Sequence, residues 1–65
     1  MQLSINGHLQ NLEVKTIEEL LINLNKKPEF LAVAVNKKFV AKNIYPEYQL
    51  SEGDHVEIVT PHPGG

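Results

Sequence analysis

The stretch "TIEELLINL", residues 16–24, decides the fold, because it is the segment of the chain that has a helical pattern. Its apolar side chains recur every three or four residues and so predict one apolar stripe on a helix: Ile17, Leu20, Leu21 and Leu24. Thr16 and Glu19 have the spacing of a capping box, in which the Thr16 hydroxyl accepts from the Glu19 amide and the Glu19 carboxylate accepts from the Thr16 amide. Pro28 is expected to end the helix. Ile22 lies off the stripe and is expected to be half-exposed or covered by a loop.

The segment before the helix predicts a hairpin. Apolar and polar residues alternate over Met1–Ile5, as in a half-buried strand. Asn6-Gly7 tolerates the positive φ angles of a type I′ turn, so a second strand is expected from His8 to Val14. Leu9 is out of phase with the apolar face of that strand, which predicts either a bulge near Gln10-Asn11 or a Leu9 that faces solvent or a partner.

The segment after the helix predicts an interior strand and a short neighbour. Leu31–Val35 is apolar on both faces, which is typical of an interior strand, and Asn36–Lys38 turns into a strand at Phe39-Val40. If the helix covers the larger side chains of the interior strand, Ala32 and Ala34 lie on the open face, where a partner can approach closely. Isolated surface alanines also occur without any role.

The remaining residues complete an α+β domain. Residues 44–48 are expected to form an irregular link with an aromatic anchor, and Gly53 a turn with positive φ. The final strand runs from His55 to Thr60, with Val56 and Ile58 facing inward. The element order is therefore β-β-α-β-β-β, a small mixed sheet packed on one helix over residues 1–60.

Composition restricts the classes of function. The 65 residues make one domain, with 42% hydrophobic and 22% charged residues, as in ordinary globular proteins. The net charge is −2 and arginine is absent, which argues against a nucleic-acid partner. The absence of cysteine excludes disulfides and thiolate metal sites. No apolar run approaches the ~18 residues of a membrane span, so a soluble, cytoplasmic protein without membrane association is expected.

The stretch "TPHPGG", residues 60–65, contains the candidate chemistry. Residues that precede proline are extended, so an extended, flexible tail is expected over residues 61–65, with a reach of about 15 Å. Gly64 and Gly65 have no side chains, so a narrow channel can admit them. The Gly65 carboxylate is ionised at neutral pH and can attack the α-phosphate of a nucleotide to form an acyl-adenylate. The alternative is a frayed terminus that tolerates glycine.

The other polar groups have weaker interpretations. His8, His55 and His62 lack metal-ligand spacing and are expected to be surface residues, so no metal site and no catalytic residue is predicted. Charged residues form two groups that are either solvated surface or a device that steers the tail toward a partner. The basic group is Lys37, Lys38 and Lys42, and the acidic group is Glu52, Asp54 and Glu57.

These residues together resemble the ThiS family, the ubiquitin-like β-grasp sulfur carriers of thiamine biosynthesis, over the whole chain. The matching pieces are Asn6-Gly7, Thr16 with Leu20-Leu21, Ala34-Val35-Asn36 with Val40, Leu50, Gly53-Asp54, Val56-Glu57-Ile58-Val59 and Gly64-Gly65. Two departures stand out. Ala41, Lys42 and Tyr45 stand where the family often has a proline, a basic residue and a tryptophan, so the proline is lost but the basic charge and the aromatic character are kept. Pro61-His62-Pro63 replaces a small, apolar segment.

The resemblance implies a protein cosubstrate rather than an enzyme. A ThiF-type adenylyltransferase would use ATP to adenylate Gly65, and a cysteine desulfurase would supply the sulfur of a thiocarboxylate. A ThiG-type thiazole synthase would receive that sulfur. No cofactor would be bound permanently. The partners would recognise the tail, Pro61, His62, Pro63, Gly64 and Gly65, and dock on a face that includes Ala32, Ala34, Glu57 and Val59.

Other functions of the same chain stay open at this point. A carrier for molybdopterin or cysteine synthesis uses the same acyl chemistry with another recipient. A ubiquitin-like modifier joins the chain end to lysine as an amide. A β-grasp binding module that senses a ligand or RNA would leave the tail without a role.

Overall fold

The computed structural model describes residues 1–60, and the tail residues Pro61, His62, Pro63, Gly64 and Gly65 lie outside the described residues. Within that range the chain forms five strands, one α-helix and two short 3₁₀ helices, in the predicted order. The strands are β1 (Gln2–Ile5), β2 (His8–Asn11), β3 (Ala32–Val35), β4 (Lys38–Val40) and β5 (His55–Val59). The helix α1 spans Ile17–Asn23, and the 3₁₀ helices span Pro28–Phe30 and Lys42–Ile44.

The five strands form a single mixed sheet in the order β2-β1-β5-β3-β4. The last strand lies at the centre, parallel to β1 and antiparallel to β3. The strand that leads into the tail is therefore held by a neighbour on each side.

The core lies between one face of the sheet and the helix. Its members include the predicted helix stripe and the inward residues of β1, β3 and β5. The side chains that are at most 1% exposed are Leu3, Ile17, Leu20, Leu21, Val33 and Val56. The predicted inward orientation of Val56 and Ile58 is confirmed, and Leu24 is partly buried against the core.

The start of α1 differs from the predicted capping box by one residue. The Thr16 hydroxyl accepts a hydrogen bond from the Glu19 amide at 3.2 Å, as predicted. The Glu19 carboxylate accepts from the Lys15 amide at 2.8 Å rather than from the Thr16 amide. The side chain therefore caps the backbone one residue earlier than the capping-box pattern indicates.

The end of α1 corrects the predicted role of proline. The helix ends at Asn23, and Asn25 has a left-handed φ of 59°. The Lys26 amide then donates to the Leu21 carbonyl at 2.9 Å, a bond that closes the last turn. Pro28 begins a 3₁₀ helix instead of stopping α1. Ile22 is 71% exposed, as expected for a residue off the stripe.

Both hairpins turn on two residues with positive φ. The first is Asn6-Gly7, as predicted, with φ of 50° and 84°. Strand β2 ends at Asn11 rather than Val14, and the register Ser4↔Leu9 continues without a bulge over residues 2–11. The predicted bulge is therefore wrong, and the alternative, an outward Leu9, is confirmed by its 70% exposure.

The second hairpin turns on Asn36-Lys37, with φ of 51° and 71°. The turn is one residue shorter than predicted, so β4 begins at Lys38 and Phe39 pairs with Ala34. This register decides which face of the sheet Phe39 occupies.

The link between β4 and β5 contains the predicted aromatic anchor. Tyr45 is buried, and its hydroxyl accepts a hydrogen bond from the Val33 amide at 3.2 Å. Gly53 adopts the predicted positive φ, 85°. Within residues 1–60, no helix has the length and apolar character needed to cross a membrane.

Candidate functional site

The face of the sheet opposite the helix is the candidate functional site. The register places Ala32 opposite Val59 and Ala34 opposite Glu57. Directly opposed residues of paired strands share one face. The four residues that the sequence proposes as a docking face, Ala32, Ala34, Glu57 and Val59, therefore lie together on this open face.

Three exposed large apolar side chains are grouped on or beside one side of this face, away from the edge strand β2. Phe39 is 75% exposed, Phe30 is 66% exposed and Val59 is 50% exposed. They surround a shallow depression lined by Glu29, Phe30, Leu31, Ala32, Phe39, Lys42 and Val59. We name Phe30, Phe39, Val59 and Ala32 the apolar patch. Grouped apolar side chains on a small protein's surface mark an interaction site more often than scattered ones do.

Phe30 and Phe39 were not predicted at this site from the sequence. The signal for Phe39 was present, because a two-residue turn at Asn36-Lys37 pairs Phe39 with Ala34 and puts both on one face. Phe30 lies in the 3₁₀ helix that Pro28 begins, where neither strand nor helix periodicity assigns a face. Its place in the patch follows from tertiary structure alone.

The two alanines differ in accessibility. Ala32 is half-buried and contributes to the depression, whereas Ala34 is only 6% exposed. Ala34 lies between Glu57 on β5 and Phe39 on β4, and these longer side chains flank it on the same face. Contact by a partner at this point would therefore be made with Phe39 and Glu57.

The apolar patch borders the point where the tail begins. Val59 is the last residue of β5, and Thr60 is the last described residue. A protein that binds residues 61–65 must therefore approach the surface next to Val59. The predicted adenylation site, Gly65, lies outside the described residues.

The charged groups around this face have different roles. Lys42 lies on the rim of the depression, where its Nζ donates to the Glu29 carbonyl at 3.3 Å. Two members of the acidic group accept hydrogen bonds from backbone amides. Glu52 accepts from the distant Gln2 amide at 3.0 Å, and Asp54 accepts from the nearby Ser51 amide at 2.8 Å. Glu57 is the member that lies exposed on the open face.

The two histidines within residues 1–60 lie at strand starts. His8 and His55 are exposed first residues of β2 and β5, and His62 lies outside the described residues. Among residues 1–60, no three histidine or acidic side chains come close enough together to hold a metal ion.

Comparison with known proteins identifies the family. The ThiS family model matches residues 3–65. The crystal structure of the thiamine biosynthesis protein (ThiS) from Geobacter metallireducens superposes with a TM-score of 0.86 at 25% identity, covering 100% of both chains. The solution structure of a thiamine biosynthesis protein from Geobacter metallireducens gives a TM-score of 0.80 at 25% identity, covering 100% of this chain and 88% of that one.

A curated relative is much longer than this chain. A protein named thiazole synthase, from Magnetococcus marinus, is 38% identical over 60 residues, which are 91% of this chain. The chain spans only 18% of the length of that relative. The superpositions confirm the predicted ubiquitin-like β-grasp fold. Because the family model covers nearly all of its residues, the chain belongs to the ThiS family.

Proposed function

We propose that this chain is a sulfur carrier for thiazole formation in thiamine biosynthesis, a protein cosubstrate whose Gly65 carboxylate carries the sulfur. The observation that supports this most strongly is the ThiS family match, which extends through Gly64 and Gly65. The similarity to a protein named thiazole synthase favours the thiazole branch over carriers for molybdopterin or cysteine synthesis. The proposed setting is the cytoplasm.

The chemistry begins with activation of the chain end. An oxygen of the Gly65 carboxylate attacks the α-phosphorus of ATP, the bond to the β-phosphate breaks, and pyrophosphate leaves. The product is an acyl-adenylate, a mixed anhydride. The outer sulfur of a persulfide on the desulfurase or a relay protein then attacks the acyl carbon, and AMP leaves. A thiol next reduces the resulting acyl disulfide, forming a disulfide with the donor's sulfur and releasing the thiocarboxylate. The carrier contributes the acyl group and its presentation, and the partners contribute the catalytic groups.

Three partners fit these steps. A ThiF-type adenylyltransferase would bind the ATP and perform the activation. A cysteine desulfurase would supply the sulfur, and a ThiG-type thiazole synthase would receive it. The relative named thiazole synthase contains a segment similar to this chain, which supports a synthase as the recipient.

The apolar patch is the proposed docking surface for the partner that activates the tail. Five residues reach about 15 Å in a polyproline conformation, so an active site that holds Gly65 lies within that distance of the end of β5. An enzyme surface at that distance also reaches Phe30 and Phe39. Burial of exposed aromatic side chains is a common source of binding energy at protein interfaces.

The test is ATP–pyrophosphate exchange catalysed by a ThiF-type enzyme, with the full chain as the acyl substrate. Deletion of Gly65 should abolish exchange, because the chain then ends at Gly64 and its terminal carboxylate lies one residue short of the position that reacts with ATP. Phe39→Ser should lower kcat/KM for the carrier about tenfold. Leu9→Ser is the matched control, because Leu9 is 70% exposed on the same face but on the distant edge strand β2.

Three outcomes would contradict the proposal. Undiminished exchange after deletion of Gly65 would remove the chain end from the chemistry and favour a binding module. Equal effects of Phe39→Ser and Leu9→Ser would reject the apolar patch as the docking surface. Transfer of the activated chain to lysine, without sulfur incorporation, would instead identify a protein modifier.

A further inference from the structure

Asn6 has a role beyond its turn, and that role concerns the strand that carries the tail. The parallel pairing between β1 and β5 covers Ser4↔His55 and Ile5↔Val56, and the Asn6 amide adds a bond to the Val56 carbonyl at 2.9 Å. Beyond this point β1 turns away into the hairpin at Asn6-Gly7. The last part of β5 then has no further strand residue of β1 to pair with.

The Asn6 side chain continues the pairing where the backbone stops. Its Oδ1 accepts a hydrogen bond from the Ile58 amide at 2.8 Å, and its Nδ2 donates to the Ile58 carbonyl at 3.3 Å. The carboxamide has the same donor and acceptor groups as a peptide unit. It therefore supplies beside β5 the acceptor and the donor that two peptide units of a longer β1 would supply.

The position of this bond relates it to the tail. Ile58 lies two residues before Thr60, where the described part of the chain ends. On its other flank this end of β5 is paired with β3, through Ala32↔Val59. The Asn6 carboxamide supplies the bonds on the flank toward β1, and so restrains β5 immediately before the tail.

We propose that Asn6 is a positioning residue for the activation of Gly65: it fixes the end of β5, the strand from which the chain continues to Gly65. The inference rests on the proposed function. A carboxylate that must reach a nucleotide's α-phosphate benefits from a fixed origin, since small misplacements lower the rate steeply. Asn6 acts through β5 and makes no contact with the nucleotide.

The chain offers a matched control at the opposite end of β5. Asn36 also occupies the first position of a two-residue turn, with φ of 51° against 50° for Asn6. Its side chain also makes two hydrogen bonds, accepting from the His55 amide at 3.0 Å and donating to Asp54 at 3.1 Å. Glycine suits both turns, so Asn6→Gly and Asn36→Gly each remove a carboxamide without disturbing the turn.

The experiment compares the two glycine variants with the full-length chain by amide hydrogen exchange and by partner-catalysed adenylation. Asn6→Gly should accelerate exchange at the Ile58 amide about tenfold. It should also lower kcat/KM for adenylation about tenfold. Asn36→Gly should leave both values near those of the unaltered chain, even where it lowers the melting temperature equally. A purely structural role for Asn6 would lower kcat/KM for adenylation equally in both variants.

The outcomes separate this inference from the proposed function. Equal exchange at Ile58 in both variants, or equal loss of kcat/KM, overturns the role of Asn6. Failure of the unaltered chain to be adenylated overturns the proposed function, and the exchange measurement then still decides whether Asn6 restrains β5. Should Asn6→Gly not fold, Asn6→Asp keeps the acceptor for the Ile58 amide and removes the donor, and it should give a smaller change in the same direction.

Discussion

At the scale of single residues, Tyr45 connects the irregular link to the interior of the sheet. Its ring is buried, and its hydroxyl accepts from the amide of Val33 in β3. We predict that Tyr45→Phe lowers the free energy of unfolding by about 1 kcal/mol, because it removes this hydrogen bond while keeping the ring. Urea denaturation measures the difference. Tyr48→Phe is the control, since Tyr48 is only partly buried, and an equal loss in both variants would contradict the assignment.

The same scale shows what a sequence can and cannot reveal. The positive φ of Asn6 and Gly7 is local chemistry, and the dipeptide alone predicts it. The bonds from Asn6 to Ile58 join residues more than 50 positions apart, and no local pattern encodes them. Phe30 was missed for a related reason, because its exposure depends on how a 3₁₀ helix packs beside β3 and β4.

At the scale of elements, α1 is the helix that covers the sheet within residues 1–60. We predict that Leu20→Ala, at a fully buried position on its stripe, costs about 2–5 kcal/mol. A domain of this size has about 3–5 kcal/mol of stability from its core, so this variant should be largely unfolded. Ile22→Ala is the matched control on the same helix, because Ile22 is 71% exposed.

Circular dichroism and thermal unfolding of the two variants test this account of α1. The exposed-site variant should melt within a few degrees of the unaltered chain. A cooperative transition for Leu20→Ala at the temperature of Ile22→Ala would show that the stripe does not form the core contact described above.

The elements also show where periodicity fails as a guide. The helix stripe and the Thr16 cap follow from spacing, and both were predicted correctly, whereas the Glu19 carboxylate bonds to the Lys15 amide rather than to the predicted Thr16 amide. The cause of the helix end was predicted wrongly, because Asn25 adopts a left-handed conformation three residues before Pro28. The sequence predicted a three-residue turn, Asn36–Lys38, but the turn has two residues, Asn36-Lys37. A shift of one residue moves a strand side chain to the other face of the sheet, so Phe39 was not assigned to the open face.

At the scale of the whole molecule, β5 is both the central strand of the sheet and the strand that precedes the tail proposed to carry sulfur. The β-grasp class was predictable from element order together with the family resemblance. Local patterns do not encode the strand order, because the parallel pairing of β1 with β5 joins strands from opposite ends of the domain. This arrangement holds the last strand between two neighbours and brings the apolar patch to the start of the tail.

Intact-mass spectrometry tests the central claim, that Gly65 is the site of sulfur loading. The full chain is incubated with ATP, a ThiF-type enzyme, a cysteine desulfurase and cysteine, and a parallel reaction omits ATP. The account predicts an ATP-dependent mass increase equal to the replacement of one oxygen by one sulfur, located in the C-terminal fragment at Gly65. An unchanged mass with partners that load another carrier, or a sulfur atom located elsewhere in the chain, would contradict it.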